Sequence, residues 1–120
     1  MRVRAARGAI VVGEDTRQAI NDGTERLLRE VLTRNQIDTQ DLVSILFTAT
    51  DDLAASFPAE AARAMGLAQV PLLCAREIAV RGSMASVIRI LVHFHSERGL
   101  DQVSHVYLDG AESLRDDLDI

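Results

Sequence analysis

Residues 87–95 read VIRILVHFH, and this stretch decides the fold. Apolar side chains occupy every second position, at Ile88, Ile90, Val92 and Phe94, which is the period of a β-strand with one apolar face. Arg89 has the opposite parity and lies in the middle of the most apolar run of the chain. The stretch therefore predicts a β-strand that carries a cation within it.

Further strands are predicted before and after this run. Alternating apolar residues indicate a first strand over residues 2–12. Residues 43–49 are nearly all apolar and rich in β-forming side chains, which predicts a strand covered on both faces. Residues 70–80 are predicted to be extended, and residues 103–108 to form a last short strand.

Two helices are predicted between these strands. Asp15 and Gln18 resemble a capping box, and apolar residues at helical spacing follow them, which predicts a helix over residues 15–34. Asn35 is the expected C-terminal stop of this helix. A shorter helix is predicted over residues 58–65, because its first residue is a proline and a glycine follows it.

The order of elements is typical of an α+β domain with a mixed sheet and helices on one side. At 120 residues the chain is expected to form a single domain over residues 1–120. Few helices are available to cover a strongly apolar sheet, so a second or third subunit is expected to bury the remaining surface. The sequence therefore predicts an oligomer.

Composition limits the partners and the compartment. The chain has 13 basic and 18 acidic residues and a formal charge of −5, which argues against nucleic acid as a partner. All the basic residues are arginine. No run approaches the roughly 20 apolar residues of a membrane span, and Cys74 is the only cysteine, so a cytoplasmic protein without a disulfide is expected.

Two arginines occur at strand positions where a cation needs an explanation. Arg7 shares its parity with apolar neighbours in the first strand and is predicted to point toward the apolar side. A structural salt bridge or exposure at a strand end would also account for it. Arg89 has Glu77 as a possible ion-pair partner, and the functional alternative is a cavity in which both side chains meet a polar ligand.

Other polar residues carry weaker signals. Cys74 is expected to be a small buried hydrophobic residue, because no neighbouring motif would activate its thiol. His93 and His95 share a strand face, and with His105 they could in principle bind zinc, but a sheet edge or a subunit contact explains them equally well. Phe57 is interpreted first as a core residue. No metal or cofactor is therefore expected, and the residues by themselves indicate an anion-binding oligomer with an internal Arg/Glu site.

Several short strings nevertheless occur together along nearly the whole chain, and in this order the sequence resembles the AroH chorismate mutases. They are Arg7-Gly8-Ala9, Phe57-Pro58-Ala59 with Arg63, Val70-Pro71-Leu72, Cys74 with Glu77, Ile88-Arg89, His105-Val106-Tyr107-Leu108 and Leu114-Arg115. The resemblance implies a homotrimer with active sites in clefts between adjacent subunits. It also implies the Claisen rearrangement of chorismate to prephenate, in aromatic amino-acid biosynthesis, with no cofactor.

The resemblance also implies roles for the polar residues. Arg89 would donate hydrogen bonds to the ether oxygen of chorismate and to an adjacent carboxylate, while Arg7 and Tyr107 would hold a carboxylate. Glu77 together with Cys74 would contact the ring hydroxyl. Simple alternation places these last two residues on opposite faces, so a bulge or bend is needed for both to reach one ligand.

Four further residues would complete the site by resemblance. Phe57 and Leu114 would wall the substrate ring, and Arg63 and Arg115 would draw in the dianion from more mobile segments. An alternative stays open at this point, in which a trimeric module of similar architecture binds a small anion without catalysing any reaction.

Overall fold

The computed structural model describes residues 1–118, and side chains up to residue 114. Its helices and strands are, in chain order, β1 (Arg2–Val11), α1 (Arg17–Arg34), β2 (Leu42–Ala49), α2 (Ala59–Ala64), β3 (Leu72–Arg76), β4 (Val87–Ser96) and β5 (Val106–Leu108). Short 3₁₀-helices cover Thr39–Asp41, Leu100–Gln102 and Ala111–Leu118.

The five strands form one mixed sheet in the order β3-β2-β4-β1-β5. The central strand β4 pairs antiparallel with both β1 and β2, while β3 runs parallel to β2 and β5 runs parallel to β1. The predicted α+β class with a mixed sheet is confirmed, and the stretch that decides the fold lies at the centre of the sheet.

Both helices pack on one face of the sheet, where the main core lies. The strand residues of this core alternate along β1, β2 and β4 and are Ala6, Ile10, Ile45, Phe47, Ile88, Ile90, Val92 and Phe94. Leu27 and Val31 of α1 pack against them. Gly8 belongs to the same face, and a Cβ atom there would lie 3.0 Å from Leu27 Cδ1, so the missing side chain lets the helix pack closely against the strand.

Neither α1 nor α2 packs on the opposite face of the sheet, where Ala111 of the last 3₁₀-helix forms a small second core with Ala9 and Val87. Leu46 is 37% exposed and Leu73 is 61% exposed on this face, and Arg7 and Arg89 are exposed there too. The prediction that residues 43–49 are covered on both faces is therefore wrong for the single chain. The predicted direction of Arg7 is wrong as well, because both parities of β1 are rich in apolar residues and the helices cover the other one.

The start of α1 differs from the predicted capping box. Thr16 is the N-cap, and its side-chain oxygen accepts a hydrogen bond from the Ala19 N–H at 3.1 Å. Asp15 instead accepts hydrogen bonds from the backbone N–H groups of Ala54 and Ala55, each at 2.9 Å. The carboxylate thus ties the loop after β2 to the start of the helix.

Two of the predicted strands are shorter than expected. Only Leu72–Arg76 is extended, because the chain turns after Glu77, where the Val80 N–H bonds to the Ile78 carbonyl. The last strand is confined to Val106–Leu108. Residues 77–86 therefore form a loop that leads into β4.

Candidate active site

A cleft of about 260 Å³ opens on the uncovered face of the sheet. Five of the residues singled out in the sequence line it, and they are Arg7, Glu77, Arg89, Tyr107 and Leu114. They come from three strands, the loop after β3 and the C-terminal 3₁₀-helix. The fold therefore gathers residues that are up to 107 positions apart in the chain (114 − 7 = 107).

Strand register places the cleft residues in a row. Arg89 of β4 lies opposite Thr48 of β2 on one side and Ala9 of β1 on the other, and Ala9 lies opposite Tyr107 of β5. Neighbouring strands are about 4.8 Å apart, so the small side chain of Ala9 leaves open space between the arginine and the tyrosine. Arg7 stands two residues along β1 from that space.

Arg89 and Glu77 form an ion pair within the cleft. Arg89 Nε lies 3.1 Å from Glu77 Oε1, and the two side chains are 43% and 25% exposed. The Glu77 N–H also donates to the Ala49 carbonyl at 3.0 Å, which fixes its backbone to the end of β2. Since Arg89 has further N–H groups and Glu77 has a second oxygen, the pair can still bind a polar ligand. The ion-pair interpretation is therefore confirmed, and both side chains also line one cavity, as the functional alternative requires.

Arg7 offers a second guanidinium group to the cleft. Its backbone N–H donates to His105 Nδ1 at 2.9 Å, so this ring nitrogen is the acceptor and helps join β1 to the segment before β5. Among the described residues no carboxylate forms an ion pair with the Arg7 side chain, which is exposed. Within the part of the chain whose side chains are described, a structural salt bridge therefore does not account for Arg7, and its guanidinium is exposed at the cleft.

A second cleft, of about 720 Å³, contains Phe57 and Cys74. Phe57 is 69% exposed, so its interpretation as a core residue is wrong: it precedes α2 and points away from the core. Cys74 is half-buried and packs against the main core, as expected for a small hydrophobic residue. On the rim of this cleft, a hydrogen bond from Arg17 lowers the pKa of Glu60.

Cys74 and Glu77 do not line the same cleft in one chain. The β2–β3 ladder runs without a bulge from Ile45 opposite Leu72 onward, so Cys74 keeps to the helix-covered side. Glu77 lies beyond the end of β3 and faces the Arg89 cleft. The bend that would bring both residues to one ligand is thus not found within the chain.

Arg63, His93 and His95 lie outside both clefts. Arg63 is exposed in the last turn of α2. Arg115 lies outside the residues whose side chains the structure describes. His93 Nδ1 lies 3.2 Å from Ser44 Oγ, and His95 is exposed. In the described part of the chain, no three His, Cys, Asp or Glu side chains are arranged to hold a metal ion, and no helix is long and apolar enough to span a membrane.

Six further residues line the first cleft without a role assigned from the sequence, and two of them, Thr48 and Ala9, lie opposite Arg89 on the neighbouring strands. Thr48 lines it beside Arg89, and its Oγ1 atom is buried without a hydrogen-bond partner among the described residues. Ala9 forms its floor and is almost completely buried. The signal for Thr48 was a hydroxyl within the largely apolar residues 43–49, which Ser44 shares, and Ala9 occurred only within the string Arg7-Gly8-Ala9, because alanine is ordinary in any strand.

The fold and the first cleft define a class of protein. A mixed sheet with both α-helices on one face presents two guanidinium groups, a carboxylate and a phenol on the other, a set that is suited to a small organic anion.

Comparison with known proteins gives the family. The family model described as chorismate mutase type I matches residues 3–118. The chain is 48% identical over 118 residues to chorismate mutase AroH of Thermus thermophilus, covering 98% of this chain and 97% of that one. It is 37% identical over 121 residues to chorismate mutase AroH of Bacillus subtilis (strain 168), covering 100% and 95%. A solved structure of chorismate mutase from Clostridium thermocellum is 41% identical and covers 92% of this chain and 98% of its own, with a TM-score of 0.90.

The chain therefore belongs to the chorismate mutase type I family, and the resemblance to the AroH enzymes is confirmed. It is an isomerase of aromatic amino-acid biosynthesis. Family membership leaves no observation in favour of a non-catalytic anion-binding module.

Proposed function

We propose that the protein converts chorismate to prephenate and that the Arg89 cleft is the catalytic half of its active site. In this rearrangement the C–O bond lengthens before the C–C bond closes, so negative charge grows on the ether oxygen. A cation fixed beside that oxygen stabilises the transition state more than the substrate. The observation that carries the proposal is Arg89 itself, which the central strand and Glu77 hold in the middle of the cleft.

The other cleft residues bind the rest of the substrate in this proposal. Arg7 and Tyr107 hold a carboxylate, and the free oxygen of Glu77 accepts a hydrogen bond from the ring hydroxyl. Leu114 walls the ring, and Ala9 leaves room for it. Together these contacts select the chair-like conformer that reacts, so no nucleophile or proton transfer is needed.

We further propose that a homotrimer completes the site, with the second cleft of a neighbouring subunit placed over the first. Phe57 and Cys74 would then meet Glu77 across a subunit boundary, although they lie in different clefts of one chain. The uncovered apolar face, with Leu46 and Leu73 exposed, supports such an assembly. Closing the site between subunits would also exclude water and strengthen the interaction of Arg89 with the ether oxygen.

Arg63 and Arg115 are assigned to capture of the dianion. Arg63 is exposed in the last turn of a short helix, which suits a residue that attracts substrate before reaction. Residues 1–120 form one catalytic domain in this proposal, supported by the family match over residues 3–118. The single cysteine supports a reducing compartment, so the enzyme is assigned to the cytoplasm, without a cofactor.

The activity is tested with purified protein and chorismate. We expect the ultraviolet absorbance of chorismate to fall and prephenate to appear as the product. Sedimentation equilibrium at the concentration of the assay should give the mass of three chains. Full turnover by a monomer would contradict the assembly, and no turnover by folded trimer would contradict the activity.

Mixing two inactive variants tests whether the site is shared between subunits. Arg89→Ala damages the first cleft, and Phe57→Asp damages the second by placing a carboxylate where the dianion would bind. Phe57 is exposed in the chain, so this substitution should not disturb folding. Co-refolded trimers contain some sites with both halves intact, and activity should return only in the mixture. If the mixture stays inactive while each variant is trimeric, the site lies within one chain.

A further inference from the structure

Asp52 binds the residue that leads into the central strand. It follows the end of β2, and its two carboxylate oxygens accept hydrogen bonds from the Ser86 N–H at 3.2 and 2.9 Å. The Ser86 hydroxyl donates to the same carboxylate at 3.1 Å, and the Thr50 hydroxyl donates to it as well. Asp52 thus binds a donor from its own segment and donors from Ser86, which lies 34 residues further along the chain (86 − 52 = 34).

Ser86 needs such support because its backbone is in the left-handed region. Its φ angle is 59°, which side chains other than glycine and asparagine rarely adopt. The Ser86 carbonyl accepts from the Val12 N–H at 2.8 Å, and the next residue, Val87, donates its N–H to Thr50 Oγ1 at 3.0 Å. The turn that begins β4 is therefore stabilised by the side chains of Asp52 and Thr50, because serine has no intrinsic preference for this backbone conformation.

The same corner holds both members of the cleft ion pair. Arg89 follows Ser86 by three residues along β4, and the Glu77 N–H donates to the carbonyl of Ala49, three residues before Asp52. The distance of 3.1 Å between Arg89 Nε and Glu77 Oε1 therefore depends on the position of the start of β4 relative to the end of β2. A shift of the Ser86 turn would move Arg89 relative to Glu77 and to the row of cleft residues.

We propose that Asp52 is a positioning residue for the rearrangement, which holds the Ser86 turn and thereby aims Arg89 at the reacting oxygen. This inference rests on the proposed role of Arg89. Asp52 lines neither the Arg89 cleft nor the Phe57 cleft; it lines a third cleft of about 220 Å³ that Glu77 also borders, and in this proposal it acts through the backbone of β4. Hydrogen bonds from Thr50 and then Ser86 lower the pKa of Asp52, so the acceptor stays ionised at neutral pH.

The test compares kcat in folded variants, with thermal melting to establish folding. Asp52→Ala should lower kcat about tenfold with KM nearly unchanged, because small misplacements of a catalytic group can cost up to about a hundredfold. Adding Ser86→Gly should restore most of the lost kcat, since glycine adopts the left-handed turn without a supporting carboxylate. Asp38→Ala is the matched control. Asp38 also caps a short turn, where it accepts a hydrogen bond from the Gln40 N–H at 3.0 Å, but this turn lies at the opposite end of β2. The kcat of this variant should equal that of the wild type.

Each outcome decides between the role of Asp52 and that of Arg89. Normal kcat in folded Asp52→Ala, with Arg89→Ala strongly impaired, overturns the role of Asp52 alone. A loss that Ser86→Gly does not recover also overturns it, because the defect then does not pass through the turn. Normal kcat in Arg89→Ala overturns the proposed site, and the role of Asp52 with it. If Asp52→Ala does not fold, Asp52→Asn takes its place in the same test. We then expect a smaller loss of kcat, which adding Ser86→Gly should again recover.

Discussion

Replacing Arg89 with alanine separates the catalytic role of this side chain from its contribution to folding. The guanidinium lies in the middle of the central strand and pairs with Glu77 across 3.1 Å. If its purpose is structural, the variant should lose stability and keep its rate once folded. If it stabilises the charge on the ether oxygen, the variant should lose rate and keep most of its stability.

The structure sets the expected size of both effects. Removing one donor of this kind costs about 3 kcal/mol of transition-state stabilisation, which corresponds to a rate loss on the order of a hundredfold or more. Arg89 and Glu77 are 43% and 25% exposed, so water can replace the lost partner. An exposed pair contributes below about 1 kcal/mol to stability, and the Tm should therefore fall by no more than about 4 °C.

The assay follows the loss of chorismate absorbance over a range of substrate concentrations. The effect of Arg89→Ala should fall chiefly on kcat, because the interaction strengthens as the oxygen gains charge. Arg89→Lys keeps the charge but loses the planar fork, so it should recover only part of the rate. Arg29→Ala is the control, since Arg29 forms an ion pair of similar length, 3.3 Å to Glu25, on the surface of α1.

One result would refute this reasoning directly. A folded, trimeric Arg89→Ala with a near-normal kcat and only a raised KM would show that the arginine binds substrate and transition state equally. Arg63→Ala is expected to give that pattern, because the proposal assigns Arg63 to capture of the dianion. Comparison of Arg89→Ala with Arg63→Ala therefore distinguishes stabilisation of the transition state from capture of the substrate.

The remaining predictions concern stability, pH and metal. Thr48→Val should raise the urea midpoint, because a buried hydroxyl without a partner among the described residues costs about 1 kcal/mol or more; a lower midpoint would count against it. Gly8→Ala should lower the urea midpoint, with a loss of about 1–3 kcal/mol in the free energy of unfolding, since its Cβ would lie 3.0 Å from Leu27 Cδ1. The hydrogen bonds from Arg26 lower the pKa of Asp109, so this carboxylate stabilises the fold above its ordinary pKa of about 3.9 and the benefit is lost as pH falls through the lower folded value. The midpoints of wild type and Asp109→Asn should accordingly differ at pH 7 and begin to converge as the pH falls below about 4. EDTA should leave kcat unchanged, because arginine supplies the positive charge; loss of activity that zinc restores would contradict this.

The sequence predicted the elements well where one parity of a strand is strongly apolar. In β4 the alternation of Ile88, Ile90, Val92 and Phe94 marks the face that packs on the helices, and it is confirmed. The same alternation singled out Arg89, which does line the cleft. The two-residue alternation was sufficient to identify this strand and its unusual residue, because Arg89 is the one charged residue within an otherwise apolar stretch.

The pattern could not say which face of β1 the helices cover. Both parities of this strand are largely apolar, since a face that is open in one chain carries valines and alanines as well. The decisive residue is Gly8, whose missing Cβ allows Leu27 to approach within 3.0 Å of that position. Such a contact depends on tertiary packing, so the face of β1 that the helices cover cannot be predicted from the local sequence of residues 2–12.

The candidate site was only partly predictable for a related reason. The resemblance brought Phe57, Cys74, Glu77 and Arg89 together in one list, but the chain divides them between two clefts. Residue types at given positions do not tell whether two of them meet within a chain or between chains. Only the register of β2 with β3, which keeps Cys74 on the helix-covered side, reveals the division.

The division of the sheet into two faces explains how arginines can stand in the central strands without destabilising the fold. The main core lies between the sheet and the helices, so the cations on the other face stay in contact with water while one chain folds. In the proposed trimer, a neighbouring subunit covers them only afterwards, together with the dianionic substrate that neutralises them. The cost of removing a guanidinium from water would then be offset by substrate binding rather than by folding. The less water that remains around Arg89 at that stage, the more strongly its charge acts on the ether oxygen, which is why a shared site suits this chemistry.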